Sequence, residues 1–218
     1  EFCEESGEDT ELRFEAEGLF HPLLKNPVPS DISAGRGVLV TGSNASGKST
    51  FLKQLAINQI LAQTIGTCLA AEFRTGFYRV LSSMALSDNI LGEESYFIVE
   101  IKSLKRILDA VADTADLPVM CFIDEVLRGT NTKERIAASS QILKQLSKSR
   151  ALCFAATHDI ELTSLLQEEM DNYHFEERVE GNDVIFDYKL HTGPATTRNA
   201  IKLMQVYGFD PAITEAAL

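Results

Sequence analysis

The chain has 218 residues, 44% hydrophobic and 24% charged, enough for one sizeable core and close to a globular average, which excludes a disordered tail and a disulfide-stapled miniprotein. Twenty Lys and Arg against 32 Asp and Glu give a formal net charge of -12, so a uniform nucleic-acid clamp, which needs cations to release phosphate counterions, is excluded too. The longest apolar stretches, Leu117 to Ile123 and Ala151 to Ala156, are strand-sized and far short of the ~20 residues of a membrane helix, so no membrane contact is expected.

Residues 1–11 are acidic with almost no apolar content and are expected to be a frayed lead-in, the ordered domain running over 12–218. Leu12, Phe14 and Ala16 alternate with Arg13 and Glu15 as in a half-buried strand, and a Pro-rich connection follows (His21-Pro22, Pro27-Val28-Pro29). Val38 to Thr41 is a short apolar run ending in a glycine-bearing turn, and a helix pattern spans Lys48 to about Thr64. Phe77 to Met84 reads as a strand, Ser95 to Ala112 as a helix, and Val119 to Ile123 as a fully buried parallel strand. The alternation repeats in a helix over Thr132–Lys148, a strand over Ala151–Ala155 and a helix over Ile160–Gln167. Tyr173 to Val179 and Val184 to Leu190 flank Glu180-Gly181-Asn182-Asp183 as a hairpin, and a helix over Thr197–Tyr207 is expected next. Alternating strands and helices imply an α/β fold, a mostly parallel sheet flanked by helices with antiparallel edge strands.

Cys3, Cys68, Cys121 and Cys153 show no CxxC spacing, which points to buried free thiols, a reducing compartment and a cytoplasmic location. The sequence lacks an initiator Met, and a helix-like pattern over Pro211–Ala217 reaches its end, so a fragment of a longer protein is expected.

Gly42-Ser43-Asn44-Ala45-Ser46-Gly47-Lys48-Ser49, followed by Thr50, satisfies G-x-x-x-x-G-K-[ST] between a predicted strand and a predicted helix. Composition alone yields such a string in roughly one chain of this length in a hundred. The glycines let backbone N–H groups and the helix N-terminus curl around phosphate oxygens; Lys48 reaches the β and γ phosphates and the Ser49 hydroxyl can bind Mg2+. Val119 to Glu125 places a carboxylate pair at the C-terminal end of a buried strand, where open α/β sheets hold ligands. Asp124 is expected to hold Mg2+ through its water shell and Glu125 to orient and deprotonate the attacking water. His158, leaving the next strand, is placed to donate to the γ phosphate. His21, His174 and His191 lack ligand spacing.

In this order, GSNASGKSTFLKQ, DNILGEESYFIVEI, CFIDEVLRGTNT and AATHDIEL resemble the C-terminal ATPase domain of the MutS family of DNA mismatch repair proteins, a branch of the ABC-type P-loop ATPases. The resemblance runs from about Leu12 to the end. It implies ATP with Mg2+ sandwiched between two copies of the domain, a homodimer through the nucleotide sites coupled to conformational change, with DNA held by parts of the parent outside this chain. Ser95 matches the signature serine that would reach the partner's γ phosphate in trans; from its own sequence it reads only as a helix N-cap. Asp88 matches the acidic position upstream of it, and Arg128-Gly129-Thr130 the turn that meets the other subunit. Ser43 replaces the family's Pro, Ala45-Ser46 its Met-Gly, and Arg135 a Gly; the aromatic expected to stack on adenine falls at Pro27 or Val28. These departures imply a divergent branch.

A transporter reading is disfavoured because Tyr96-Phe97 follow Ser95 where Gly-Gly would be expected, and a small-GTPase reading because no N-K-x-D motif is present. The alternative is a nucleotide-gated dimerisation module of another ABC-type chromosome-maintenance protein with little turnover.

Overall fold

The computed structural model describes residues 12–84, 95–113, 117–180, 183–195, 204–205 and 207–216. The acidic lead-in, Asp88, Cys3 and most of the helix expected over 197–207 lie outside the described residues.

A six-stranded sheet carries the fold. Strand β3 (Gly37–Thr41) pairs in parallel with β7 (Ala151–Thr157) on one side and β8 (Met170–His174) on the other; beyond β7 lie β6 (Val119–Asp124) and β5 (Arg79–Ser83), also parallel. The short β11 (His191–Thr192) closes the β8 edge antiparallel. Both faces of β3, β6 and β7 are covered, so their residues form continuous apolar runs, as parallel strands under helices must.

Alternation along these strands divides two cores. Val38, Val40, Met120, Phe122, Leu152 and Phe154 face helix α1 (Lys48–Ile65) and a second, antiparallel sheet of β2 (Ser30–Ala34), β1 (Phe14–Leu19) and β4 (Glu72–Thr75). Phe122 stacks on Phe154 at 5.4 Å between centroids, and Phe14 meets Phe154 edge-on at 5.6 Å. Leu39, Cys121, Ile123, Cys153 and Ala155 face the other way, with residues of helices α2 (Tyr96–Ala112), α3 (Thr132–Ser147) and α4 (Glu161–Leu165). Cys121 and Cys153 are free, buried register partners, while Cys68 is partly exposed. Helix α5 (Pro211–Ala216) lies late in the chain. No helix among the described residues is long and apolar enough to cross a membrane.

Two expectations are corrected. Tyr173 to Val179 is not one strand: β8 stops at His174, and the chain resumes as β9 (Glu177–Glu180), which pairs antiparallel with β10 (Asp183–Phe186). The break falls where β3 ends; Phe175 N donates to Thr41 O at 3.0 Å and its ring turns in against Phe51, 5.8 Å away. The helix expected over 160–167 shortens to α4, bounded where Leu166 N returns to Leu162 O.

Candidate active site

The parallel strands deliver their chemistry at one end of the sheet. Beyond Thr41 the chain turns sharply at Gly42, φ 145, where a Cβ would sit 2.9 Å from both Phe175 O and Ser46 Oγ. Ala45 adopts left-handed backbone at φ 68 and Gly47 follows at φ 112 as the N-cap of α1. Side chains larger than hydrogen are disfavoured at Gly42 by both sterics and φ, and at Gly47 by φ. No side chain caps α1 and no acidic residue occupies its first turn, so its N-terminal N–H groups and positive dipole end meet no competing carboxylate there. Lys48 is 5% exposed and folds back into the loop, its Nζ donating to the carbonyls of Gly42 and Ser43 at 2.7 Å each. Burial lowers its pKa, opposed by the charges of Glu125, Asp124 and Glu177. Ser43 Oγ donates to Glu177 Oε2 at 2.9 Å, a tie from the loop to β9. Ser46 is buried and Ser49 and Thr50 are half-buried.

Across from the loop, Asp124 ends β6 half-buried, and the chain turns through Glu125 at φ 64 and Leu127 at φ 57. Both are non-glycine residues in left-handed backbone, which costs free energy unless neighbours hold the turn. Glu125 N donates to Ala156 O at 2.9 Å, and its carboxylate Oε2 lies 2.6 Å from His158 Nδ1. From α2, the carboxylate of Glu100 accepts from the backbone N–H groups of Leu127 and Arg128, while Gly129 packs so closely on Phe97 that a Cβ would lie 2.8 Å from that ring. Glu100 is 1% exposed; burial raises its pKa and the two N–H donors pull it back. It was missed from sequence, though its place one turn before Leu104 and two before Ile107 puts it on the buried stripe of α2.

Removing this grip leaves buried N–H groups without an acceptor. Glu100→Ala is therefore expected to destabilise the domain by about 1–3 kcal/mol, read as a lower urea midpoint at unchanged slope, and Glu100→Gln by less.

Loop and carboxylates face one cavity of about 530 Å³. Ser43, Asn44, Ala45, Gly47, Lys48, Ser49, Thr50, Asp124 and Glu125 line it, as does Arg128. Gly42 and Ser46 shape the loop from behind, and His158 reaches the site through Glu125. Of the two positions where the aromatic was expected, Val28 lines the cavity and Pro27 does not; the aromatic side chains lining it are Phe175 and Tyr188, 147 and 160 residues beyond Val28. Tyr188, 47% exposed, stacks on Phe186 at 5.9 Å and lies 3.4 Å from where a Gly47 Cβ would be. Ser95 does not line this cavity. It is the exposed N-cap of α2, and its hydroxyl makes no capping hydrogen bond.

A cationic side chain, an uncapped helix N-terminus, two carboxylates and aromatic walls suit an anionic, base-bearing ligand with a divalent cation. Residues 38–218 match the family model for MutS domain V. DNA mismatch repair protein MutS of Natronomonas pharaonis is 34% identical over 213 residues, covering 92% of this chain and 24% of that protein. The Thermus thermophilus protein of the same name is 30% identical over 203 residues (90% of this chain, 24% of that protein), and that of Sorangium cellulosum 34% over 212 (94% and 22%). The chain thus spans about a quarter of the length of these relatives.

Proposed function

Because the chain belongs to the MutS family, as its ATP-binding and ATP-hydrolysing domain V, we propose that hydrolysis proceeds in the cavity between the 42–50 loop and the Asp124-Glu125 turn. The observation that carries this reading is the placing of Lys48 and the uncapped N-terminus of α1 opposite that carboxylate pair. The triphosphate occupies the loop, contacted by its N–H groups and by Lys48 once the ammonium exchanges the Gly42 and Ser43 carbonyls for phosphate oxygens. Ser49 and Asp124 would hold Mg2+, Asp124 partly through water, and the ion would supply neutralisation of phosphate charge. Glu125 orients and deprotonates water, held by His158. Tyr188 and Phe175 supply the aromatic surface for the base.

Beyond this domain, we propose that the parent acts on DNA in mismatch repair, as the names of its relatives indicate, through regions outside this chain, and that two copies of the domain close over the nucleotide.

Glu125→Gln is expected to retain ATP and Mg2+ in calorimetry but to lose about 10²- to 10⁴-fold in phosphate release, since the amide keeps the shape without the base. Asp124→Asn should instead raise the Mg2+ concentration needed for half-maximal rate. Equal turnover by Glu125→Gln and the parent would remove Glu125 from the mechanism and favour a nucleotide-gated dimerisation module.

A further inference from the structure

A second layer of charge lies behind His158. Arg135, in the first turns of α3, donates through Nε to Asp159 Oδ2 at 2.7 Å and through Nη2 to Asp159 Oδ1 at 2.6 Å. Their side chains are 13% and 6% exposed. Asp159 is itself fixed, its N–H donating to the buried Thr157 Oγ1 at 3.0 Å. Nη2 of Arg135 also meets Nε2 of His158 at 3.4 Å, while Nδ1 of the same ring lies 2.6 Å from Glu125 Oε2.

The chemistry of these groups allows one assignment. A guanidinium has only donors, so the ring nitrogen facing it must present a lone pair. The ring's single proton then sits on Nδ1, where the Glu125 carboxylate accepts it. A second proton on Nε2 would set N–H against N–H. The alternative acceptor, Asp159 Oδ1, is 3.8 Å from Nε2, and both Asp159 oxygens already receive the guanidinium.

We infer that Arg135, held by Asp159, is a positioning residue that keeps Nε2 of His158 free of a proton and thereby commits the ring to Glu125 through Nδ1–H. His158 then has no proton on Nε2 to give a phosphate. Its task is to fix Oε2 of Glu125, leaving Oε1 to receive the proton of an attacking water. The opposing case shows why the cation matters: with Arg135 removed, both Asp159 oxygens lose the guanidinium, and Oδ1, 3.8 Å from Nε2, is open to accept a hydrogen bond from that nitrogen. Asp159 is the largest influence holding Arg135 in its charged form, followed by burial, which opposes it, and then by the charges of Asp159, Glu125 and Glu161. Arg135 stands where the resemblance to the family pattern places glycine.

The consequence for rate rests on Glu125 acting as proposed above; the proton position does not. The test is a long-range proton–nitrogen correlation spectrum of the whole chain labelled with ¹⁵N-histidine near neutral pH, His158 being assigned by its loss in His158→Gln. The parent should show Nδ1 protonated and Nε2 as a bare, pyridine-type nitrogen. In Arg135→Ala, and in Arg135→Met, which keeps the packing stem but no donor, Nε2 should gain a proton. At saturating ATP, kcat of both variants should fall about ten-fold with KM little changed, the scale of a displaced but present general base. A proton on Nε2 in the parent, or a bare Nε2 in both variants, overturns the inference. Unchanged kcat in variants whose Nε2 is protonated overturns the positioning role. A parent that does not hydrolyse ATP would overturn the proposed function instead, with the proton position still readable.

Discussion

Lys48→Ala is expected to abolish measurable triphosphate binding. Among the residues lining the cavity, Lys48 and Arg128 are the cations, and Lys48 alone belongs to the loop and is buried there. Truncating one partner of a buried, hydrogen-bonded charge pair costs about 3–5 kcal/mol, or roughly 10²- to 10⁴-fold in affinity. The fold should tolerate the change, because what Lys48 bonds in the structure are two carbonyls of its own loop, which a phosphate-free loop can present to water. Calorimetric titration with ATP and Mg2+, paired with urea unfolding, separates the two effects. Unchanged affinity in a folded variant would rule out this cavity as the triphosphate site.

What the sequence reveals and conceals divides along physical lines. The loop, Asp124 and Glu125 were legible because a left-handed glycine turn between an apolar run and a helix is a local pattern, as is a carboxylate pair ending a five-residue apolar strand. Strands β2 and β4 were not. β4 (Glu72–Thr75) is four residues with one fully buried side chain and exists because β1 offers it a ladder. The end of β8 was hidden for the complementary reason: its partner β3 turns away at Gly42, a tertiary event with no signature in Tyr173 to Val179. Tyr188 and Glu100 reach the site across 141 and 25 residues of chain from Gly47 and Glu125, respectively, so packing alone brings them there. Arg135 was visible as a departure from a pattern, but its pairing with Asp159 required the two helix ends to be placed side by side.

The largest kinetic effect is expected from assembly. Ser95 heads a helix whose other contacts grip the Glu125 turn through Glu100 and Phe97, yet it is exposed, does not line the cavity of its own chain, and makes no capping hydrogen bond with its hydroxyl. A serine so placed is free to serve a second copy, and a trans-acting group can be worth ~10³ to 10⁵ in rate, about 4 to 7 kcal/mol of barrier. The expected pair is a closed two-fold dimer with equivalent sites, each formed from the 42–50 loop of one copy and Ser95 of the other. Each copy carries -12, so the two repel, and specific activity should rise with protein concentration and with salt that screens the repulsion. Ser95→Arg and Lys48→Ala, each inactive alone, should complement on mixing. In a mixed pair, one site keeps an intact loop from the first variant and an intact serine from the second. Equal mixing makes about half the pairs mixed, each with one of its two sites whole, so roughly a quarter of the parental rate should return. Activity independent of concentration, with no rescue although mixed dimers are shown to form, would mean that a single chain carries out hydrolysis and that Ser95 serves only to start α2.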